Sequence, residues 1–123
     1  MARILNIGTQ NYTTVLATDE LYFNANHEYV VVAAPAEGEE IGLDNPYAKV
    51  KFQEGPIKEY GVNGCHNEDL IAIVIDRLEH LNQGQFACRE NSIAITKLTE
   101  ALLWLNKRTN DRIKRGVEGT HQV

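Results

Sequence analysis

The stretch Asn67-Glu-Asp-Leu-Ile-Ala-Ile-Val-Ile-Asp-Arg-Leu-Glu-His-Leu-Asn82 decides the fold of the C-terminal half. Leu70, Ile71, Val74, Ile75, Leu78 and Leu81 recur at three- and four-residue intervals, the stripe of a helix packed along one face. Asn67 is placed to cap the first turn, and Glu68 and Asp69 complement the positive end of the helix dipole. Gln83-Gly84 ends the pattern, since glycine accepts the left-handed conformation of a helix C-cap. A second, longer helix is expected from Cys88 to Arg115, with Ala94, Ile95, Leu98, Ala101, Leu102, Leu105 and Ile113 in its stripe. The link around Gly84 is short, so the two helices should be antiparallel neighbours.

Ahead of the hairpin, β-branched and aromatic residues cluster in Arg3–Ile7, Tyr12–Ala17, Tyr29–Ala34 and Tyr47–Gln53, which read as strands. In the last, Ala48, Val50 and Phe52 alternate with Lys49, Lys51 and Gln53, a half-buried period of two. Residues 35–46 carry Glu37, Glu39, Glu40 and Asp44, a solvated acidic loop. The stretch Gly55–Gly64 then changes character, with three glycines and a proline. The expected fold class is α+β: a small N-terminal antiparallel sheet followed by an antiparallel two-helix hairpin. It is expected as one domain over 1–123, β-rich over 1–54 and helical over 55–123.

Composition narrows the function. At 123 residues there is material for one modest core. The chain has no run of about 18 apolar residues that would span a membrane, and its first residues lack the apolar core of a secretory signal. A cytoplasmic location is expected. Cys65 and Cys88 fit a reducing compartment as buried or half-buried thiols, and no ligand spacing for a metal is present. The formal net charge of −5 disfavours a DNA or RNA polymer as partner, because polynucleotide affinity comes from many cation–phosphate contacts. A small anion held by local cations stays compatible.

Catalytic machinery is hard to assemble. His27, His66, His80 and His121 sit in no catalytic signature, and Gly61-Val62-Asn63-Gly64 lacks the lysine and hydroxyl of a phosphate-binding loop. The chemically informative cluster is Lys107-Arg-Thr-Asn-Asp-Arg-Ile-Lys-Arg115. At about 100° per residue, Arg108, Arg112 and Arg115 share one flank beside the apolar stripe, while Asn91 and Thr109 fall within it. Cations at a helix C-terminus are favoured by the dipole alone. Three arginines there also present planar forks suited to phosphate oxygens. Ile73, Ile93, Leu103 and Trp104 lie off the stripes, which points to a second contact surface and a homo-oligomer.

The run Gly55-Pro-Ile-Lys-Glu-Tyr-Gly-Val-Asn-Gly-Cys65, with Asn67 to Leu78, Phe86-Ala-Cys-Arg-Glu-Asn91, Arg108-Thr109, Asp111-Arg112 and Arg115-Gly-Val-Glu-Gly-Thr120, resembles the helical hairpin of phage anti-defence proteins. That module is shared by the Thoeris anti-defence family and a related anti-CBASS family. The resemblance covers Lys51 to Thr120, and the β-unit ahead of the hairpin is similar to the Thoeris member. It implies a sponge that binds a cyclic ADP-ribose isomer made by a bacterial immune enzyme and holds it uncleaved, with no cofactor. It implies the cytoplasm of an infected bacterial host, and a homo-oligomer based on a dimer and extending to a hexamer by analogy. Cyclic di- or trinucleotides at a separate oligomer site are implied too, with His27 and Lys58 the candidate contacts there. By position, Asn91, Arg108 and Arg112 match the family's ligand contacts. Leu81 falls where relatives often carry a base-stacking aromatic, and leucine offers apolar contact without a π-face. Arg112→Ala is expected to abolish binding and spare the fold. A nucleotide-degrading enzyme and a structural phage oligomer without a small ligand are the rival readings.

Overall fold

The computed structural model describes residues 2–8 and 11–123. The chain divides into two compact units, Met1–Cys65 and His66–Val123. The fold is α+β, a four-stranded antiparallel sheet followed by two helices packed together.

In the first unit, β1 (Arg3–Ile4), β2 (Thr13–Ala17), β3 (Glu28–Ala33) and β4 (Ala48–Lys51) lie in sequence order, every neighbour antiparallel. All four expected strands form; β1, β2 and β4 are shorter than their β-favouring runs, and β3 keeps its expected length one residue earlier. Leu16, Ala17 and Val32 make the buried core, with Leu16 opposite Val30 and Val32 opposite Thr14. Of the alternating set in β4, Val50 and Phe52 are half-buried, with the Phe52 ring edge-on to Tyr29 at 5.6 Å, while Ala48 is exposed.

The long β2–β3 connection is held by Asp19. Its carboxylate accepts the backbone N–H groups of His27, at 2.9 Å, and Glu28, at 3.2 Å. Asn26 donates to the Asp19 carbonyl at 2.7 Å and accepts from Arg3 at 2.6 Å, tying the connection to β1. Burial acts to raise the Asp19 pKa, but these N–H donors outweigh it and hold the group below its ordinary 3.8. A carboxyl depressed by folding contributes stability fully above its unfolded value and loses it as pH falls through the folded one.

Beyond β4 the chain loops out through a one-turn helix α1 (Ile57–Tyr60) and returns, so that Cys65 forms a parallel bridge with Phe52. The Gln53 side-chain amide donates to the carbonyls of Gly55 and Gly61, and its oxygen accepts the Asn63 N–H. Asn63 in turn pairs with both backbone groups of Glu54. The glycine-rich stretch is thus a laced structural loop. Gly64 is demanded by close approach, since a Cβ there would lie 2.4 Å from the Phe52 carbonyl carbon and oxygen.

In the second unit, α2 (Asn67–Leu81) and α3 (Arg89–Lys114) are joined through a 3₁₀ turn at Gly84–Phe86. The N-cap of α2 is His66, not Asn67; Asp69 reaches back to accept the His66 N–H at 2.8 Å, a carboxylate anchor that Asn67 could not provide from the first helical position. Cys88 caps α3, its Sγ accepting from the Asn91 N–H at 3.4 Å. Cys88 is exposed and Cys65 half-buried, so the expectation of two shielded thiols holds for Cys65 alone. Leu70, Ile71, Ile75 and Leu78 face the seam, opposite Ala94, Ile95, Leu98, Ala101, Leu102 and Leu105, all half-buried. Val74 is 45%, Leu81 44% and Ile113 57% exposed, so all three leave the stripes assigned to them.

Two outcomes test this fold. Gly64→Ala should lower stability by roughly 1–3 kcal/mol through overpacking against immovable backbone, measured by denaturant unfolding. Asp19→Asn should be less stable than the parent at neutral pH, and the gap should narrow as pH drops below about 4.

Candidate ligand site on the helical hairpin

The four candidate site residues separate into two pairs at opposite ends of the hairpin. Leu81 ends α2, and its side chain is 44% exposed. Asn91 lies in the first turn of α3, half-buried. Asn82 ties these ends together, donating to Ser92 Oγ at 3.0 Å and accepting the Cys88 N–H at 2.9 Å. Beside Leu81, the outer face of α2 forms an open concavity with Ile73, Asp76, Arg77 and His80. The His80 ring N–H donates to the Asp76 carbonyl at 2.8 Å; this bond, reinforced by the Asp76 carboxylate, raises the His80 pKa.

Arg108 and Arg112 sit near the far end of α3. Seventeen residues separate Asn91 from Arg108, about 25 Å along a helix rising 1.5 Å per residue. No nucleotide-sized molecule spans that distance. One protomer therefore does not bring the four residues together.

The arginine end is itself an open concavity lined by Trp104, Arg108, Asp111, Arg112, Arg115 and Val123. Trp104 is 64% exposed at its edge. Residues 107–118 carry five cations against two carboxylates, a positive focus in an acidic chain. One carboxylate is already engaged: Lys107 holds Asp111 at 2.7 Å, and this bond pulls the Asp111 pKa down. Arg108 is exposed.

Arg112 differs sharply from Arg108. It is 6% exposed, the one buried residue of α3. Its guanidinium donates to the carbonyl of Gln122, to Val117 O at 2.9 Å and to Thr120 O at 3.1 Å, and its Nε lies 3.5 Å from Glu118 Oε2. The chain after α3 turns back at Gly116 (φ 73°) and wraps this side chain. Glu118 Oε2 is shielded from solvent, and no hydrogen-bond donor reaches it among the described residues. Arg115 is held more loosely, donating to Val123 O at 2.5 Å from an exposed position. The cluster on one flank is thus two exposed arginines and one buried pin.

The two histidine and lysine positions considered for a second site differ as well. His27 is 6% exposed, with its N–H on Asp19 and its ring against the Tyr22 carbonyl at 2.5 Å, so it is committed to the sheet and offers no ligand contact. Lys58 is exposed on α1. No group of three or more His, Cys, Asp or Glu side chains that could hold a metal exists among the described residues, and none of their helices is long and apolar enough to cross a membrane.

The profile of the Acb2/Tad1 hairpin domain matches residues 44–110. A Thoeris anti-defense 1 protein of Bacillus phage SBSphiJ7 is 48% identical over 120 residues, covering 85% of this chain and 84% of the relative. The chain belongs to the Thoeris anti-defence 1 family. Within the family's hairpin domain, the matched span includes Leu81, Asn91 and Arg108 and stops before Arg112.

Burial of Arg112 changes what its removal does. Arg112→Ala should cost about 1–3 kcal/mol, because it strips a charged donor from three carbonyls and leaves Glu118 unpaired. The fold should therefore be retained, at lower stability than the parent. Arg108→Ala should leave the melting temperature unchanged, since its side chain is in solvent.

Proposed function

We propose that this Thoeris anti-defence 1 family member sequesters a cyclic ADP-ribose isomer, without degrading it, in a site shared between two copies of the chain. The separation of Leu81 and Asn91 from Arg108 and Arg112 carries this reading. If two hairpins pack antiparallel about a two-fold axis, the loop end of one lies beside the arginine end of the other. Each ligand then meets Arg108 and Arg112 of one protomer through its phosphates, and Leu81 and Asn91 of the partner copy through its base and ribose. A two-fold interface yields two such sites.

The apolar surface supports the same arrangement. Ile73, Leu103 and Trp104 are each more than 60% exposed on the hairpin, and Ile93 is 40% exposed. Several large apolar side chains left exposed on a hairpin are commonly covered by a partner. A homo-oligomer built from dimers covers them, with a hexamer as the larger assembly. Phosphate recognition by arginine forks and base contact with an apolar side chain need no general acid or base. High affinity and slow release are enough for an immune signal to be withdrawn inside the infected host. Cyclic di- or trinucleotides are further ligands on this reading, bound elsewhere in the oligomer with Lys58 available and His27 not.

Mixing variants tests the shared site. Asn91→Ala and Arg108→Ala homodimers should each lose binding of the cyclic ADP-ribose isomer in titration calorimetry. Co-refolded mixed dimers should regain one site of parental affinity, because one of their two sites carries neither substitution. A mixture as inactive as its parents would place all the contacts within one protomer. Leu81→Phe should tighten binding several-fold, mainly by slowing dissociation, as an aromatic face adds about 0.5–1.5 kcal/mol. The exposure of Leu81 leaves room for the ring, so the free protein's melting temperature should hold.

A further inference from the structure

We infer that Trp104 is a stacking face for the ligand's purine base, supplied by the same protomer as Arg108 and facing Leu81 of the partner copy across the base. This rests on the hairpin being a shared cyclic-nucleotide site, as proposed above.

Trp104 is the chain's single tryptophan and is 64% exposed. An indole is rarely left that open without a contact to make. Its surroundings select the kind of contact. Leu103, the next residue, is 65% exposed but does not line the arginine concavity. Trp104 does line it, and every other side chain lining it, Val123 apart, is charged. The centre of a protein–protein contact is depleted of charge, so a lone ring among cations suits a second polypeptide poorly. A nucleotide fits on both counts, because it joins an uncharged planar base to anionic phosphates.

The spacing agrees. Trp104 and Arg108 are four residues apart on α3, neighbours on one flank about 6 Å apart along the axis at 1.5 Å per residue. The adenine and the diphosphate of a cyclic ADP-ribose are joined through a ribose. A base lying on the indole therefore keeps its phosphates within reach of the Arg108 fork. Stacking holds a base by its face and leaves its edges free for Asn91 of the partner copy. Leu81 gives apolar contact without a π-face, so among the site's side chains ring-on-ring contact falls to Trp104.

With one tryptophan in the chain, indole emission reports on this contact alone. Fluorescence titration and calorimetry of the full chain test it, with a panel of cyclic ADP-ribose isomers and inorganic pyrophosphate as probes. An isomer that binds should quench Trp104 emission saturably, at the midpoint of its calorimetric curve, and pyrophosphate should not. Trp104→Leu keeps apolar bulk without a π-face; it should weaken binding about 5- to 100-fold while sedimentation shows the parental oligomer. Trp104→Phe should stay within about fivefold of the parent. Unchanged emission at saturation, equal quenching by pyrophosphate, parental affinity in Trp104→Leu, or a loss of affinity there that tracks loss of the oligomer would each overturn the stacking role and leave the ligand site standing. Binding of no isomer to the parent would overturn the ligand site, and the stacking role with it.

Discussion

Two antiparallel helices share only one seam, and everything distinctive about this protein follows from that limit. None of the residues of α2 is fully buried, and the one buried side chain of α3 is an arginine. A hairpin with such a shallow interior gains little from its own contacts, because most of its apolar side chains stay half in water. The aliphatic residues and tryptophan that face outward are the complement of that deficit. In the proposed assembly they meet a second copy, which would unite the two ends of the proposed ligand site.

The sheet unit solves a different problem with different means. Among the described residues its fully buried apolar core is three residues, and much of its order comes from polar side chains that satisfy backbone groups: Asp19 across the β2–β3 connection, Gln53 and Asn63 across the loop that follows β4. Such networks fix one geometry because every alternative leaves donors unpaired. They also absorb residues that a sequence reading weighs for chemistry. His27 serves the sheet, and the Gly61–Gly64 run serves a close backbone return past Phe52.

The helices were legible in the sequence because periodicity over a dozen or more residues is a strong signal, and the strands because short β-branched runs alternate with turn residues. Helix caps were less so: His66 and Asn67 are adjacent, and the deciding contact is a carboxylate three residues on. Arg112 illustrates the harder case. Its spacing from Leu105 and Thr109 continues the buried stripe, whereas Ile113, the residue chosen by polarity, is turned to solvent. Hydrophobicity favoured the wrong neighbour, because the partners that make burial of a guanidinium tolerable are carbonyls of the following segment, and carbonyls are invisible in a sequence pattern. The separation of the two site pairs, by contrast, was available from helix rise alone, once α3 was known to run unbroken from Arg89 to Lys114.

The central claim is that a shared pocket holds a cyclic ADP-ribose isomer and returns it unchanged. Titration calorimetry followed by heat denaturation and chromatography of the released nucleotide addresses it in one sample. The account predicts saturable binding at one ligand per protomer and recovery of intact cyclic nucleotide. Recovery of a linearised product, or no heat with any cyclic ADP-ribose isomer, would contradict it.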